Sequence, residues 1–329
     1  MPLISILLPF QREGFWLKEA VESIQQQSHK RIEILLIENG ADAATREIAT
    51  RFTESDSRIR LFLEEKTGIA HALNKGLAHA QGEYIARMDA DDYSLPERFT
   101  KQLQLLSECS TKHACFTQVA PMPGSQTGEG MQWFMDWTNS LLHAQDIRLN
   151  RFIDAPVIHP TLLAHRSLFD DLPEHYKDGV PEDYELWLRW MERGIEMIKV
   201  PEPLLFWRDH PDRLTRTHAH YAPARFFEVK AHYLKSAVPA GIPVCICGAD
   251  NTQKTKIQHL INVGIDVQFI TDVRPRQMKG LTYLPVEQIG SKKDLFFISL
   301  IGARDKHSVM RNFFNGKGLT EGRDYLLAG

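Results

Sequence analysis

Short apolar runs alternate with amphipathic ones along the first hundred residues. Ile4–Pro9, Ile32–Ile37, Ile59–Leu63 and Tyr84–Met88 are the apolar runs and read as strands. Between them, Trp16–Gln27 places Trp16, Ala20, Val21 and Ile24 on one helical face. Asp42–Phe52, Ile69–His79 and Pro96–Leu106 also have helical spacing, and Asp42 suits an N-cap. Strands alternating with helices predict a parallel, doubly wound sheet, whose ligands sit at the carboxyl ends of the strands. The loops after Pro9, Ile37 and Met88 then share one rim. That rim carries Phe10, Glu38, Asn39 and the acids that follow Met88.

Those acids are the densest chemistry in the chain. Gly82-Glu83-Tyr84-Ile85-Ala86-Arg87-Met88 runs straight into Asp89-Ala90-Asp91-Asp92. Like charges about 4 Å apart repel by about 4 kcal/mol at an effective dielectric of roughly 20. A divalent cation such as magnesium or manganese turns that repulsion into a binding site, because hard cations take oxygen ligands. A solvated turn, with Asp92 or Ser94 capping the helix that Pro96 opens, fits the spacing as well.

Composition narrows the class. The chain has 329 residues, 43% hydrophobic and 25% charged, with a net charge of −3. These are values of a globular protein long enough for two domains, with no bias toward nucleic acid. Cys109, Cys115, Cys245 and Cys247 are too few and too irregular for a disulfide framework, and reduced thiols predict a cytoplasmic location. Met1-Pro2-Leu3-Ile4-Ser5 enters a strand at once, which predicts no secretory signal. No apolar run approaches the ~20 residues of a membrane span.

Two later clusters carry further chemistry. In Gly179-Val180-Pro181-Glu182-Asp183-Tyr184, the two acids open a helix whose apolar face is Leu186, Trp187, Trp190 and Met191. First-turn acids favour the helix dipole, and an acid at such a junction also suits a general base. Farther on, Phe206-Trp207-Arg208-Asp209-His210 leads from a strand into a basic loop. Arginine fits phosphate oxygens, and neutral histidine ligates metals. An ordinary exposed basic loop reads the same way.

In order, these strings resemble a family 2 glycosyltransferase with the GT-A fold over residues 3 to about 216. The resemblance runs through Ile4-Ser5-Ile6-Leu7-Leu8-Pro9, Ile32-Glu33-Ile34-Leu35-Leu36-Ile37-Glu38-Asn39-Gly40 and Gly68-Ile69-Ala70-His71-Ala72-Leu73-Asn74-Lys75-Gly76. It continues through Asp89-Ala90-Asp91-Asp92, Glu182-Asp183 and Arg208-Asp209-His210. It implies an α/β, Rossmann-like nucleotide-sugar-binding domain. It also implies an inverting, metal-dependent enzyme that moves a sugar from a nucleoside-diphosphate sugar to a hydroxyl. The implied setting is cell-surface polysaccharide synthesis, on a glycan or polyprenyl-diphosphate-linked acceptor. Pro9 and Phe10 would line the base and ribose pocket, and Glu38 and Asn39 would read the base. Gly68, Asn74, Ala90 and Arg208 join them as expected nucleotide-sugar contacts. Asp89 and Asp91 resemble the family's Asp-x-Asp pair. Asp91, Asp89 and His210 would hold Mn2+ or Mg2+, with Asp92 adjacent. Asp183 resembles the catalytic base, with Glu182 beside it. A silent nucleotide- or glycan-binding homologue acting as a scaffold is the competing expectation.

The chain departs from the family at two loops. Phe10-Gln11-Arg12-Glu13 stands where the family usually has a Tyr-Asn pair, and Glu38-Asn39 where it has a double Asp. The nucleobase is therefore open, with UDP-linked donors the default by family frequency. The expected division is 1–217 for the transferase domain, 218–240 for a helical linker and 241–329 for a smaller Rossmann-like α/β domain. Gly248-Ala249-Asp250-Asn251-Thr252 offers one glycine, so that domain reads as a docking or homo-oligomerisation module rather than a cofactor site. The helix Tyr221–Ala237 mixes basic and aromatic residues. It reads as an interdomain helix, with peripheral contact at the inner membrane face as the alternative.

Overall fold

The computed structural model describes residues 1–170, 174–303 and 306–329. They form two compact units, 1–147 with 157–221, and 148–156 with 222–329. The strands of the first unit are β1 (Ile4–Phe10), β2 (Ile32–Glu38), β3 (Ile59–Leu63), β4 (Tyr84–Arg87), β5 (Tyr93–Ser94), β6 (His113–Pro121), β7 (Leu163–His165) and β8 (Glu196–Trp207). They make one sheet in the order β3-β2-β1-β4-β7-β6-β8-β5.

The half built from the alternating pattern is parallel as expected, with β1 between β2 and β4. Beyond β4 the sheet is mixed, because β7 runs antiparallel to both β4 and β6. The wholly parallel expectation fails there because β7 is three residues long, too short to show a period. The order reverses at β1, so the crevice between the carboxyl ends of β1 and β4 is the topological switch point. β1 ends at Phe10, whose side chain is buried in the core, and β4 leads into the Asp89–Asp92 run at that switch point.

Local chemistry explains the strand joints. The Ser5 hydroxyl donates to Glu33 Oε1 (2.5 Å) and accepts from the Gly82 N–H (2.8 Å). A Cβ at Gly82 would lie 2.7 Å from the Leu3 carbonyl, so only glycine lets β4 enter beside β1. Asp42 caps its helix as expected, accepting the Thr45 N–H at 2.8 Å. The helix after the acid run spans Arg98–Ser107, with no side-chain cap. Asp92 is turned elsewhere, as described below.

The second unit holds β9 (Val244–Cys247), β10 (Val267–Thr271), β11 (Thr282–Tyr283), β12 (Phe296–Ser299) and β13 (Tyr325–Leu327). All pair in parallel, in the order β11-β10-β9-β12-β13. The expected linker helix spans Pro223–Ala237 and belongs to this unit. Its Phe227, Val229, Ala231, Tyr233 and Leu234 are core residues, and buried Lys230 donates to the carbonyls of Ile153 and Ala328. Phe227 and Tyr233 are thus spent on the core, while Phe226 is half-buried. Among the described residues, no helix is long and apolar enough to cross a membrane.

Candidate active site

The acid run is a turn held from both ends. β4 stops at Arg87, and the Asp92 N–H reaches back to the Asp89 carbonyl (3.4 Å). β5 then pairs antiparallel with Leu205 and Phe206 at the end of β8. That pairing delivers Arg208 and His210, more than a hundred residues away, to the acids. The Arg208 backbone N–H donates to Asp92 Oδ1 (3.0 Å), its Nε to the Asp91 carbonyl (2.7 Å), and its Nη2 to Glu19 (2.7 Å). His210 Nε2 lies 2.8 Å from Asp91 Oδ2, and the His210 ring packs against Trp16. Asp89, Asp91 and Asp92 each place a carboxylate oxygen within 4.8 Å of the others, the one such acid group among the described residues.

The electrostatics are those of carboxylates short of positive charge. Burial, then the neighbouring Asp91, push Asp92 well above the usual carboxylate range. Its Oδ2 is buried and has no hydrogen-bond partner. At Asp91, burial pushes upward, but the His210 hydrogen bond and the Arg213 charge outweigh it and the carboxyl stays low. Burial also raises Glu13, and Asp91 adds to the rise. Three oxygen donors with one buried orphan fit a hard divalent cation.

Glu182 and Asp183, the pair expected to supply the base, open the helix Glu182–Glu192. Leu186, Trp187, Trp190 and Met191 are buried, as the spacing predicts. Glu182 is 4% exposed. It accepts the Tyr221 hydroxyl at 2.6 Å and lies 4.0 Å from His159 Nδ1. Burial, then Asp183, push Glu182 up to about 8. Asp183 is half-buried, and its Oδ1 accepts the Tyr184 N–H at 2.7 Å.

Arg87 joins the two halves. It is 4% exposed and pairs with Asp89. Burial lowers its affinity for the proton, while Tyr176, Glu182, Asp92 and Asp91 each pull the other way. One buried guanidinium therefore feels carboxylates of both the acid turn and the helix Glu182–Glu192.

The loops expected to read the base are braced from within. The Glu38 carboxylate takes Arg46 in a bidentate pair. Asn39 is buried, and its backbone N–H donates to the Phe10 carbonyl (3.1 Å). Its amide donates to the carbonyls of Glu64 (3.0 Å) and Lys66 (2.9 Å) and accepts the Gly68 N–H (2.8 Å). Gly68 has φ 136, a conformation that needs glycine. Asn74 grips the Tyr176 backbone through two bonds of 2.8 and 2.9 Å. Pro9 pairs with Ile37 in the sheet, and the side chain of Ala90 packs into the core. The amide at 39 matches its partners in a way the family's acid does not, since a carboxylate accepts but cannot donate. Asn39→Asp is expected to lose about 2 kcal/mol of stability through two unsatisfied carbonyls facing a new charge. Thermal unfolding checks this, and an unchanged midpoint refutes it.

Sequence reasoning assigned no site role to Arg87, Glu13, Trp16, Glu19 or Tyr221. Arg87 carried a legible signal. A charge inside the apolar run Tyr84–Met88 must be buried and so must have partners. Trp16 and Tyr221 carried none, since each reads as an ordinary residue of its helix.

Comparison with known proteins gives the same direction. The family model described as glycosyl transferase family 2 matches residues 5–172. A putative teichuronic acid biosynthesis glycosyltransferase, TuaG of Bacillus subtilis (strain 168), is 32% identical over 213 residues, covering 63% of this chain and 79% of TuaG. Against an uncharacterized glycosyltransferase of Rickettsia felis, the match is 28% identical and spans 56% of this chain but 29% of that relative. The fold is similar to that of S. aureus TarS 1-349 solved with UDP-GlcNAc, with a TM-score of 0.57, 15% identity and coverage of 80% and 71% of the two chains. It is similar also to the mannosyltransferase PcManGT from Pyrobaculum calidifontis, solved with GDP-Man and Mn2+, with a TM-score of 0.51, 18% identity and coverage of 80% and 70%. With the acid turn, the switch-point crevice and half the chain matched to one family, the protein belongs to glycosyl transferase family 2.

Proposed function

We propose that this glycosyltransferase moves a sugar from a nucleoside-diphosphate sugar to a hydroxyl of a cell-surface glycan or its lipid-linked precursor, inverting the anomeric centre. The observation that carries the reading is Arg87, which is buried, pairs with Asp89 and feels the charges of Asp91, Asp92 and Glu182. It supports a single crevice with a charge-binding end and a proton-accepting end. In this reading Asp91 and Asp89, with His210, hold Mn2+ or Mg2+, which supplies charge stabilisation for the departing diphosphate. Arg208 and Arg213 add fixed positive charge there. Asp183 takes the proton of the acceptor hydroxyl from the opposite face. TuaG, a putative teichuronic acid biosynthesis glycosyltransferase, favours a polysaccharide acceptor.

The second unit is proposed as a docking or self-association module. Asp250 spends its carboxylate on Thr252, and a Cβ at Gly248 would sit 2.5 Å from Ile301, so the glycine after β9 packs directly on Ile301.

Incubation with UDP-, GDP- and dTDP-sugars and manganese tests the enzyme reading, with water standing in for the acceptor. Release of nucleoside diphosphate from one donor class is expected, falling at least tenfold when EDTA replaces manganese. Tight binding without release by any donor would return the scaffold reading, and metal-independent release would remove the cation from the site.

A further inference from the structure

The surroundings of Glu182 are more built than a helix cap requires. Its carboxyl is turned inward among side chains from four separate segments. Tyr221 donates to Oε2 at 2.6 Å. His159 Nδ1 stands 4.0 Å from Oε1, and its Nε2 meets the Tyr176 hydroxyl at 3.0 Å. Tyr176 is held in turn by Asn74. The Arg87 charge acts from β4, and Asp183 acts from the same helix. Burial keeps His159 neutral, pushing it well below its usual range, and keeps both tyrosines protonated. Asp183, one position on, is half-buried rather than enclosed.

Two adjacent carboxyls thus have different surroundings. Resting on the function proposed above, we propose that Tyr221 is a positioning residue of the transfer reaction. Its hydroxyl fixes the Glu182 carboxyl inward, which leaves Asp183 as the carboxylate that meets the acceptor. Burial holds the Glu182 proton, pushing it up to about 8, while Asp183 is the member nearer solvent. It also ties the segment carrying His210 to the helix carrying the base, because Tyr221 follows His210 in the same stretch.

The sign of the pH effect follows from the bond. The Tyr221 hydroxyl favours the charged form of Glu182, so its removal raises the Glu182 midpoint above about 8. Full-length protein labelled with 13C at the glutamate carboxyls reads this directly, with Glu182→Gln identifying the resonance. In the parent, the Glu182 signal should remain protonated at pH 7 and titrate near 8. In Tyr221→Phe the midpoint should rise by roughly one unit, the effect of a single hydrogen bond to a charged group. Tyr221→Phe should also slow nucleoside-diphosphate release from the active donor by about tenfold or more, with the donor KM within twofold. A Glu182 signal ionised by pH 6, an unmoved midpoint, or unaltered turnover overturns the inference. Absence of release by the parent from every donor overturns the catalytic reading itself, whatever the titration shows.

Discussion

Asp183→Asn is expected to slow sugar transfer by about 10²–10⁴-fold, the range a positioned general base supplies, with nucleotide affinity in manganese held within twofold. The argument starts from the helix Glu182–Glu192. Its first turn carries Glu182, Asp183 and Glu185; Glu185 pairs with Lys177 and Arg189, and of the other two only Glu182 is turned inward among neutral and cationic partners. Glu182 is enclosed by Tyr221, His159 and Arg87, and burial holds its proton up to about 8. A group that keeps its proton at pH 7 is a poor acceptor of another. Asp183 is the less enclosed of the two and the one whose charge Glu182 feels. The amide in Asp183→Asn keeps the volume and the acceptor for the Tyr184 N–H, so folding should be preserved. Nucleotide affinity separates this from misfolding, because the charge-binding end of the crevice is built from other residues. Near-parental transfer by the variant would move the base role away from Asp183.

How much of this was legible depends on the length over which a residue's role is encoded. The parallel half of the sheet was readable because each apolar run is long enough to show its period. β7 and β13 were not, since three residues carry no period. The acid turn announced itself through charge density, and Arg87 through its apolar surroundings. Asp92 was read as a helix cap or an auxiliary acid. The structure instead has it accept the Arg208 backbone N–H, a bond set by strand pairing between residues far apart in sequence. Asn39 was read as a base-reading amide. Its side chain is spent on the Glu64–Gly68 loop, a tertiary use that its type permits but does not announce. Tyr221 was invisible for the same reason, because its partner lies 39 positions away.

The acid turn supplies the other large effect. Asp91→Asn is expected to lower nucleotide affinity in manganese at least roughly 100-fold, since even outer-shell partners of metal ligands are worth 10–100-fold. Affinity measured in EDTA should not fall in the variant, because Asp91 without a cation only repels the diphosphate. The reasoning is electrostatic. In the absence of a cation, Asp91 leans on the His210 hydrogen bond and the Arg213 charge, and Asp92 is driven toward its neutral form. The charge that Asp91 keeps repels a diphosphate, and a cation bound at the turn would reverse that. Asparagine retains an oxygen but loses the charge, so the cation is held by fewer carboxylates. His210 is already 2.8 Å from Asp91 Oδ2, and its ring is fixed against Trp16, so the variant should leave its position intact. Isothermal titration with UDP and GDP, with and without manganese, gives all the numbers required. If the parent binds its nucleotide equally well in EDTA, the turn at Asp89–Asp92 is a structural acid cluster and the cation has no part in donor binding.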